Sequence, residues 1–160
     1  MTHHHIKLKH MSNFTDMDAF NLYDDVSLRY ITSAEELGDE DIIIIPGSKS
    51  TIFDLIELKE KGIAERIVKL AKKGTIIFGI CGGYQMLGNK IEDPEKLEGN
   101  IREISGLGLL NLNTTMEKSK NTLQYNGTVL SENGLFKGLL GSEIKGYEIH
   151  QGITNGVEKG

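Results

Sequence analysis

The chain is predicted to fold as an α/β domain with a mostly parallel central sheet and an antiparallel extension. Two short apolar runs, "IIII" at residues 42–45 and "TIIFGI" at residues 75–80, are each followed by glycine and then by a segment of helical character. The order strand, helix, strand, helix implies right-handed crossovers between parallel strands. After Gly99 glycine becomes dense and the helical periodicity fades, which fits antiparallel strands.

The elements follow in chain order. "VSLRYI", residues 26–31, alternates as a strand does, and "SAEEL" after it reads as a short helical turn capped by Ser33. "DIIIIPG" is a β-branched run closed by Pro46 and Gly47, the pattern of a buried parallel strand. From Thr51, the residues Ile52, Phe53, Leu55, Ile56 and then Ile63, Ala64, Ile67, Val68, Ala71 recur at helical spacing, and Gly62 divides them into two helices. "TIIFGI" returns to strand, "YQMLG" reads as helix, and "LNLNTTM", "LQYNGTVL" and "GYEIHQGIT" read as antiparallel strands or an edge extension.

Composition narrows the function classes. With 160 residues, 38% hydrophobic and 26% charged, the chain fits one globular domain able to fold without staples. A net charge of −5 leaves no broad basic surface for nucleic acid or anionic lipid. No apolar run approaches the roughly 20 residues of a membrane span. The single cysteine excludes an internal disulfide and agrees with a reducing cytoplasm. His3, His4 and His5 beside Met1 read as a tag remnant or frayed terminus, residues 1–5, rather than a metal tract. Asp16 and Asp18 form a weak metal signal and are expected in turn hydrogen bonds.

The lone cysteine sits in "GICGGYQMLG". Gly79, Cys81 and Gly83 have the Gly-x-nucleophile-x-Gly form of a nucleophile elbow, at the carboxyl end of a strand where parallel α/β sheets bind ligands. The following helix start favours negative charge near the sulfur, and so thiolate over thiol. A buried, inert cysteine needs no glycines at this spacing, since they weaken an element without packing return. Tyr84, beside the cysteine, is expected either to shape the pocket or to pack on the first turn of a buried helix. The "PGSKST" loop after residues 42–45 offers Gly47 and Ser48, whose backbone N–H groups, with that of Gly82, would form an oxyanion hole. It is not a P-loop, because Ser48 separates Gly47 from Lys49 and Ile42 fills the position of the earlier glycine.

These two segments, in this order with "SNFTDMDAF", "GLGLLNLNTTM" and "GYEIHQGIT", resemble the class I glutamine amidotransferases of the cobalamin pathway, and in particular the carboxyl-terminal amidase domain of the cobyric acid synthases. The resemblance runs from about residue 6 to the end. It implies a three-layer, flavodoxin-like fold. It also implies that Cys81 attacks the side-chain amide of glutamine, with Ser48 and Gly82 as oxyanion-hole amides and Gly47 and Gln85 holding substrate. The ammonia released would amidate carboxylates of a corrin after ATP activates them on a synthetase domain or subunit. This domain itself would bind no cofactor and no metal, and ATP and magnesium would belong to that partner.

Two departures from the family pattern matter. No stretch matches the family's ATP-binding half, and no Gly-Thr-Tyr-x-His-Gly segment follows "GYEIH". Residues 6–160 are therefore expected to be an amidase domain incomplete at its carboxyl-terminal end, lacking the general base. His150 is the only histidine after Cys81 and so the one candidate for a substitute base, but both it and Glu148 correspond to "GYEIH" and are expected in structural or interface roles rather than catalysis. Without a base, deacylation would lose about 10²- to 10⁴-fold, so turnover is expected to be weak or absent. The alternatives are a catalytically silent module and an amidase subunit of another ligase, such as one acting on cell-wall precursors. A cysteine hydrolase or chaperone-like relative would need a histidine close after the elbow, and none is present.

Overall fold

Four consecutive isoleucines leave a strand no polar face, so residues 42–45 must be covered on both sides. The computed structural model, which describes residues 2–6 and 8–156 (without the side chains at 2–6, 14, 16, 120, 121 and 135), covers them with a sheet that has two unequal cores. Strands β1 (Thr2–Ile6), β2 (Ser27–Ile31), β3 (Ile42–Ile45) and β4 (Ile76–Gly79) lie in the order β2-β1-β3-β4, all parallel. On one face, Ile43 and Ile45 join the main core with helices α1 (Thr51–Glu60) and α2 (Ile63–Ala71), contributing Ile52, Leu55, Ile63 and Ile67. On the other, Ile42 and Ile44 pack with Met17 and Phe20 of a 3-10 segment, Phe14–Leu22. Gly62 parts the two helices in the left-handed conformation, φ 69°, as its position in the sequence predicts.

The membership of β1 differs from the reading of residues 1–5 as a tag remnant or frayed terminus. Thr2–Ile6 pairs with β2 on one edge, and its His3–His5 stretch pairs with β3 on the other. Backbone pairing on both sides makes the strand, and no side-chain pattern announces it. The side chains of His3–His5 and Asp16, weighed above for metal binding, lie outside the described residues.

Helix α3 (Gly82–Leu87) begins at the two glycines, earlier than "YQMLG" implies. It leads to a separate sheet built from β5 (Lys90–Glu92), β6 (Glu103–Ser105), β7 (Leu112–Thr128) and β8 (Glu143–Gly156), ordered β6-β5-β7-β8. The antiparallel extension is thus a mixed sheet, parallel only between β5 and β7. "LNTTM" and "LQYNGT" are halves of one 17-residue strand, joined through a register shift between Thr115 and Lys120.

Chain order reverses between β1 and β3, where successive crossovers leave in opposite directions. In such sheets the crevice beyond the carboxyl ends of those strands is the ligand position. The loops after β1, β3 and β4 all reach it.

Candidate active site

Glycine spacing sets the bend at Cys81. The cysteine has φ 49° and ψ −110°, a conformation that L residues avoid and that costs on the order of 1–3 kcal/mol unless its surroundings enforce it. The neighbouring glycines are what its surroundings require. A Cβ at Gly83 would lie 2.1 Å from the Ile45 carbonyl oxygen, and one at Gly79 would lie 2.7 Å from the Tyr84 backbone. Both contacts are with main chain, so nothing can swing aside. The turn therefore presses α3 onto β3 and leaves Cys81 exposed.

The loop after β3 meets the elbow edge on. A Cβ at Gly82 would come within 3.1 Å of the Ser48 nitrogen, so the two turns that carry the predicted oxyanion amides meet here. Among the described residues, neither the Ser48 nor the Gly82 N–H has a backbone acceptor. Ser48 spends its hydroxyl elsewhere, donating to Asp54 Oδ2 at 2.6 Å and accepting from the Ser50 N–H at 2.9 Å. Its amide is the group left to face a ligand.

Two cavities flank the sulfur. One of about 430 Å³ is lined by Ser12, Gly47, Ser48, Cys81, Glu98 and His150, among others. The second, about 420 Å³, runs from Cys81 past Tyr84 and Gln85 to Glu148 and His150. Tyr84 is 39% exposed and lines this second space, which fits the pocket-shaping reading rather than packing.

Strand β8 closes over the elbow. Cys81 Sγ lies 3.5 Å from the Ile149 carbonyl oxygen and Gln85 Nε2 donates to the Gln151 carbonyl at 3.0 Å. A carbonyl accepts only from S–H, so the Ile149 contact suits the thiol, whereas the start of α3 favours the thiolate. Gln85, predicted to hold substrate, here holds β8, although it lines both cavities.

His150 reaches the site, but its ring is engaged. Nδ1 donates to the Gly152 carbonyl at 2.9 Å, and Nε2 lies 2.6 Å from Glu148 Oε1. This arrangement agrees with a positioning or interface role more than with proton acceptance from Cys81.

Residues that sequence reasoning missed are carboxylates. Asp54, at 1% exposure, takes hydrogen bonds from Ser48 and from both the backbone N–H and Nδ1 of His10. Glu98 accepts the Ile52 N–H at 2.7 Å, capping α1, whose own cap residue Ser50 makes no side-chain bond. Burial holds the Glu98 carboxyl above its ordinary range, against the opposing pull of its backbone donors. The fully buried Asp93 fixes the turn that carries Glu98, accepting from the Leu97 and Glu98 N–H groups. The signal available for Asp54 was its place in the "DL" pair shortly after "PGSKST". Among the described residues no cluster of three metal-ligating side chains occurs.

Comparison with known proteins agrees with this architecture. The chain is 49% identical over 154 residues to cobyric acid synthase of Clostridium acetobutylicum, covering 96% of this chain and 30% of that protein. It is also 49% identical over 149 residues to cobyric acid synthase of Dehalococcoides mccartyi, strain BAV1, covering 93% and 29%. It thus spans about 30% of the length of these curated relatives. Among solved structures, PurLQS from Thermotoga maritima aligns with TM-score 0.64 at 21% identity, covering 98% of this chain and 70% of that one. A crystal structure of a glutamine amidotransferase aligns at 0.60 and 18%, covering 92% and 70%. These two likenesses speak for the fold. The model of the CobB/CobQ-like glutamine amidotransferase domain matches residues 4–160, nearly the whole chain, and the chain belongs to that family.

Proposed function

We propose that this chain is the glutaminase, the ammonia-supplying part, of an adenosylcobyric acid synthase-like ATP-dependent amidoligase in cobalamin biosynthesis. The observation that carries the reading is an exposed cysteine on a strained elbow, beside two backbone N–H groups without backbone acceptors, at the mouth of a cavity large enough for an amino acid. The family assignment supplies the substrate, and the relatives' name supplies the pathway.

The chemistry follows from the atoms present. Cys81 Sγ adds to the δ-carbonyl carbon of glutamine, and the π pair moves onto oxygen, where the Ser48 and Gly82 N–H groups stabilise the developing charge. Collapse of that intermediate breaks the C–N bond, and the nitrogen leaves as ammonia carrying the proton that the thiol gave up, leaving a glutamyl thioester. Water then attacks the thioester, freeing glutamate and regenerating the thiol. Gly47 and Gln85 contribute to the walls around the substrate. Corrin carboxylates, ATP and magnesium belong to the synthetase part, which the relatives' greater length accommodates.

One observation favours slow turnover by these residues alone. Among the described residues, His150 is the one histidine lining either cavity, and both its nitrogens are already bonded. Deacylation without a positioned base is expected to be slower by about 10²- to 10⁴-fold. Incubation with a glutamine-analogue electrophile should add one label, at Cys81, by mass spectrometry. Ammonia release from glutamine should be slow for the chain alone and faster with an ATP-dependent synthetase partner. A folded chain that takes no label contradicts the reading. Labelling with silence in both ammonia assays leaves the silent-module alternative.

A further inference from the structure

We propose that Asp54 is a positioning residue for the oxyanion hole, aiming the Ser48 N–H at the substrate oxygen. The inference rests on the glutaminase chemistry above and identifies what holds its geometry. In a trans peptide the C=O and the following N–H point in opposite directions. The Gly47 carbonyl accepts the Ser12 N–H at 2.9 Å, so the Ser48 N–H points away from the loop after β1, and the Gly82 backbone lies beside the Ser48 nitrogen. The direction of one peptide thus decides whether the hole exists.

Asp54 holds both sides of the bridge that sets this direction. The loop after β1 and the loop after β3 are joined by two backbone bonds, Ser12 N–H to Gly47 and Lys49 N–H to His10. One carboxylate oxygen of Asp54 takes the His10 N–H at 3.2 Å and its Nδ1 at 2.8 Å, securing the first loop. The other takes the Ser48 hydroxyl at 2.6 Å, securing the second. The Asp54 side chain is wholly buried in the first turn of α1, where the helix dipole favours a negative charge. Three groups, the His10 N–H, the His10 ring and the Ser48 hydroxyl, converge on a carboxylate that lines neither cavity beside Cys81, more than core packing alone requires.

The test compares two reagents at Cys81. A chloromethyl ketone analogue of glutamine reacts through an oxyanion: the sulfur adds to the ketone carbon, and the sulfur then moves to the methylene as chloride leaves, the thiol proton departing with it. Iodoacetamide alkylates the same sulfur by direct displacement of iodide, with no oxyanion. Asp54→Asn should lower the maximal inactivation rate by the chloroketone about 10-fold while its half-saturating concentration and the iodoacetamide rate stay within about threefold. Ser48→Ala, which keeps the amide and loses the Asp54 bond, should act in the same direction, and the double variant should be no worse than the single. If Asp54→Asn does not fold, Ser48→Ala carries the test. Wild type that takes iodoacetamide but not the chloroketone overturns the glutaminase reading and this role with it. Wild type that takes both, with variants whose two rates fall together or do not change, overturns the role of Asp54 alone.

Discussion

The parallel sheet and the β7–β8 pair divide the molecule into a half that is fixed by burial and a half that is not. Every residue of β3 is buried, whereas along β7 and β8 Leu123, Tyr125 and Tyr147 are 60%, 56% and 73% exposed. Cys81, the Ser48 and Gly82 amides proposed as an oxyanion hole, and the carboxylates Asp54 and Glu98 all belong to the buried half or its loops. The paired strands reach Cys81 and Gln85 through residues 149–151, by the Ile149 and Gln151 carbonyls and the His150 ring, and line the cavities with Met116, Glu148, Ile153 and Thr154 as well. Chemistry that needs a strained backbone is built where packing can hold the strain, and the strand that covers it is attached by single hydrogen bonds.

The largest expected contrast is between two glycines. Gly83→Ala forces a methyl onto the Ile45 carbonyl at 2.1 Å, so it is expected to cost about 3 kcal/mol or to prevent folding. Gly146→Ala in β8 meets nothing within 4 Å and is expected to change stability by less than about 0.5 kcal/mol. Urea denaturation of both variants checks the pair, and equal effects would break the division.

A smaller effect is expected where the halves join. Gln85→Ala removes the bond to the Gln151 carbonyl, a loss of about 1 kcal/mol. Its consequence should be local. Hydrogen exchange in β8 near residues 149–151 should speed up while β3 exchanges as before, and uniform acceleration would contradict the picture of a strand attached by separate bonds.

The smallest expected effect is a pH dependence at Glu98. Burial raises its folded-state pKa above the ordinary value of 4.5, so its contribution to stability is present below that value and is lost as pH rises through the raised one. Glu98→Gln keeps an acceptor for the Ile52 N–H and has no charge to bury. Between pH 4 and 7 the wild type should therefore lose stability relative to Glu98→Gln, and a difference constant with pH would count against a desolvated carboxylate there.

How much was legible in the sequence follows the same division. The elbow, the loop after β3, the strand at 42–45 and the break at Gly62 all rest on signals a few residues apart, and each lies where the pattern places it. Strand β1 was not legible because its identity comes from pairing with β2 and β3, 25 to 39 positions away in register, and "HHHI" has no strand signature. The length of β7 was missed because "EKSK" interrupts its apolar pattern at the register shift. Asp54 and Glu98 looked like ordinary polar residues because their roles depend on partners 44 and 46 positions distant, His10 and Ile52.

The central claim is geometric: the carbonyl oxygen of a bound glutamine analogue lies between the Ser48 and Gly82 N–H groups. A crystal structure of the chain alkylated at Cys81 by the chloroketone measures this directly. The account predicts the adduct's ketone oxygen at about 2.7–3.1 Å from both nitrogens. An adduct whose oxygen turns toward solvent, or bonds to neither amide, would contradict it.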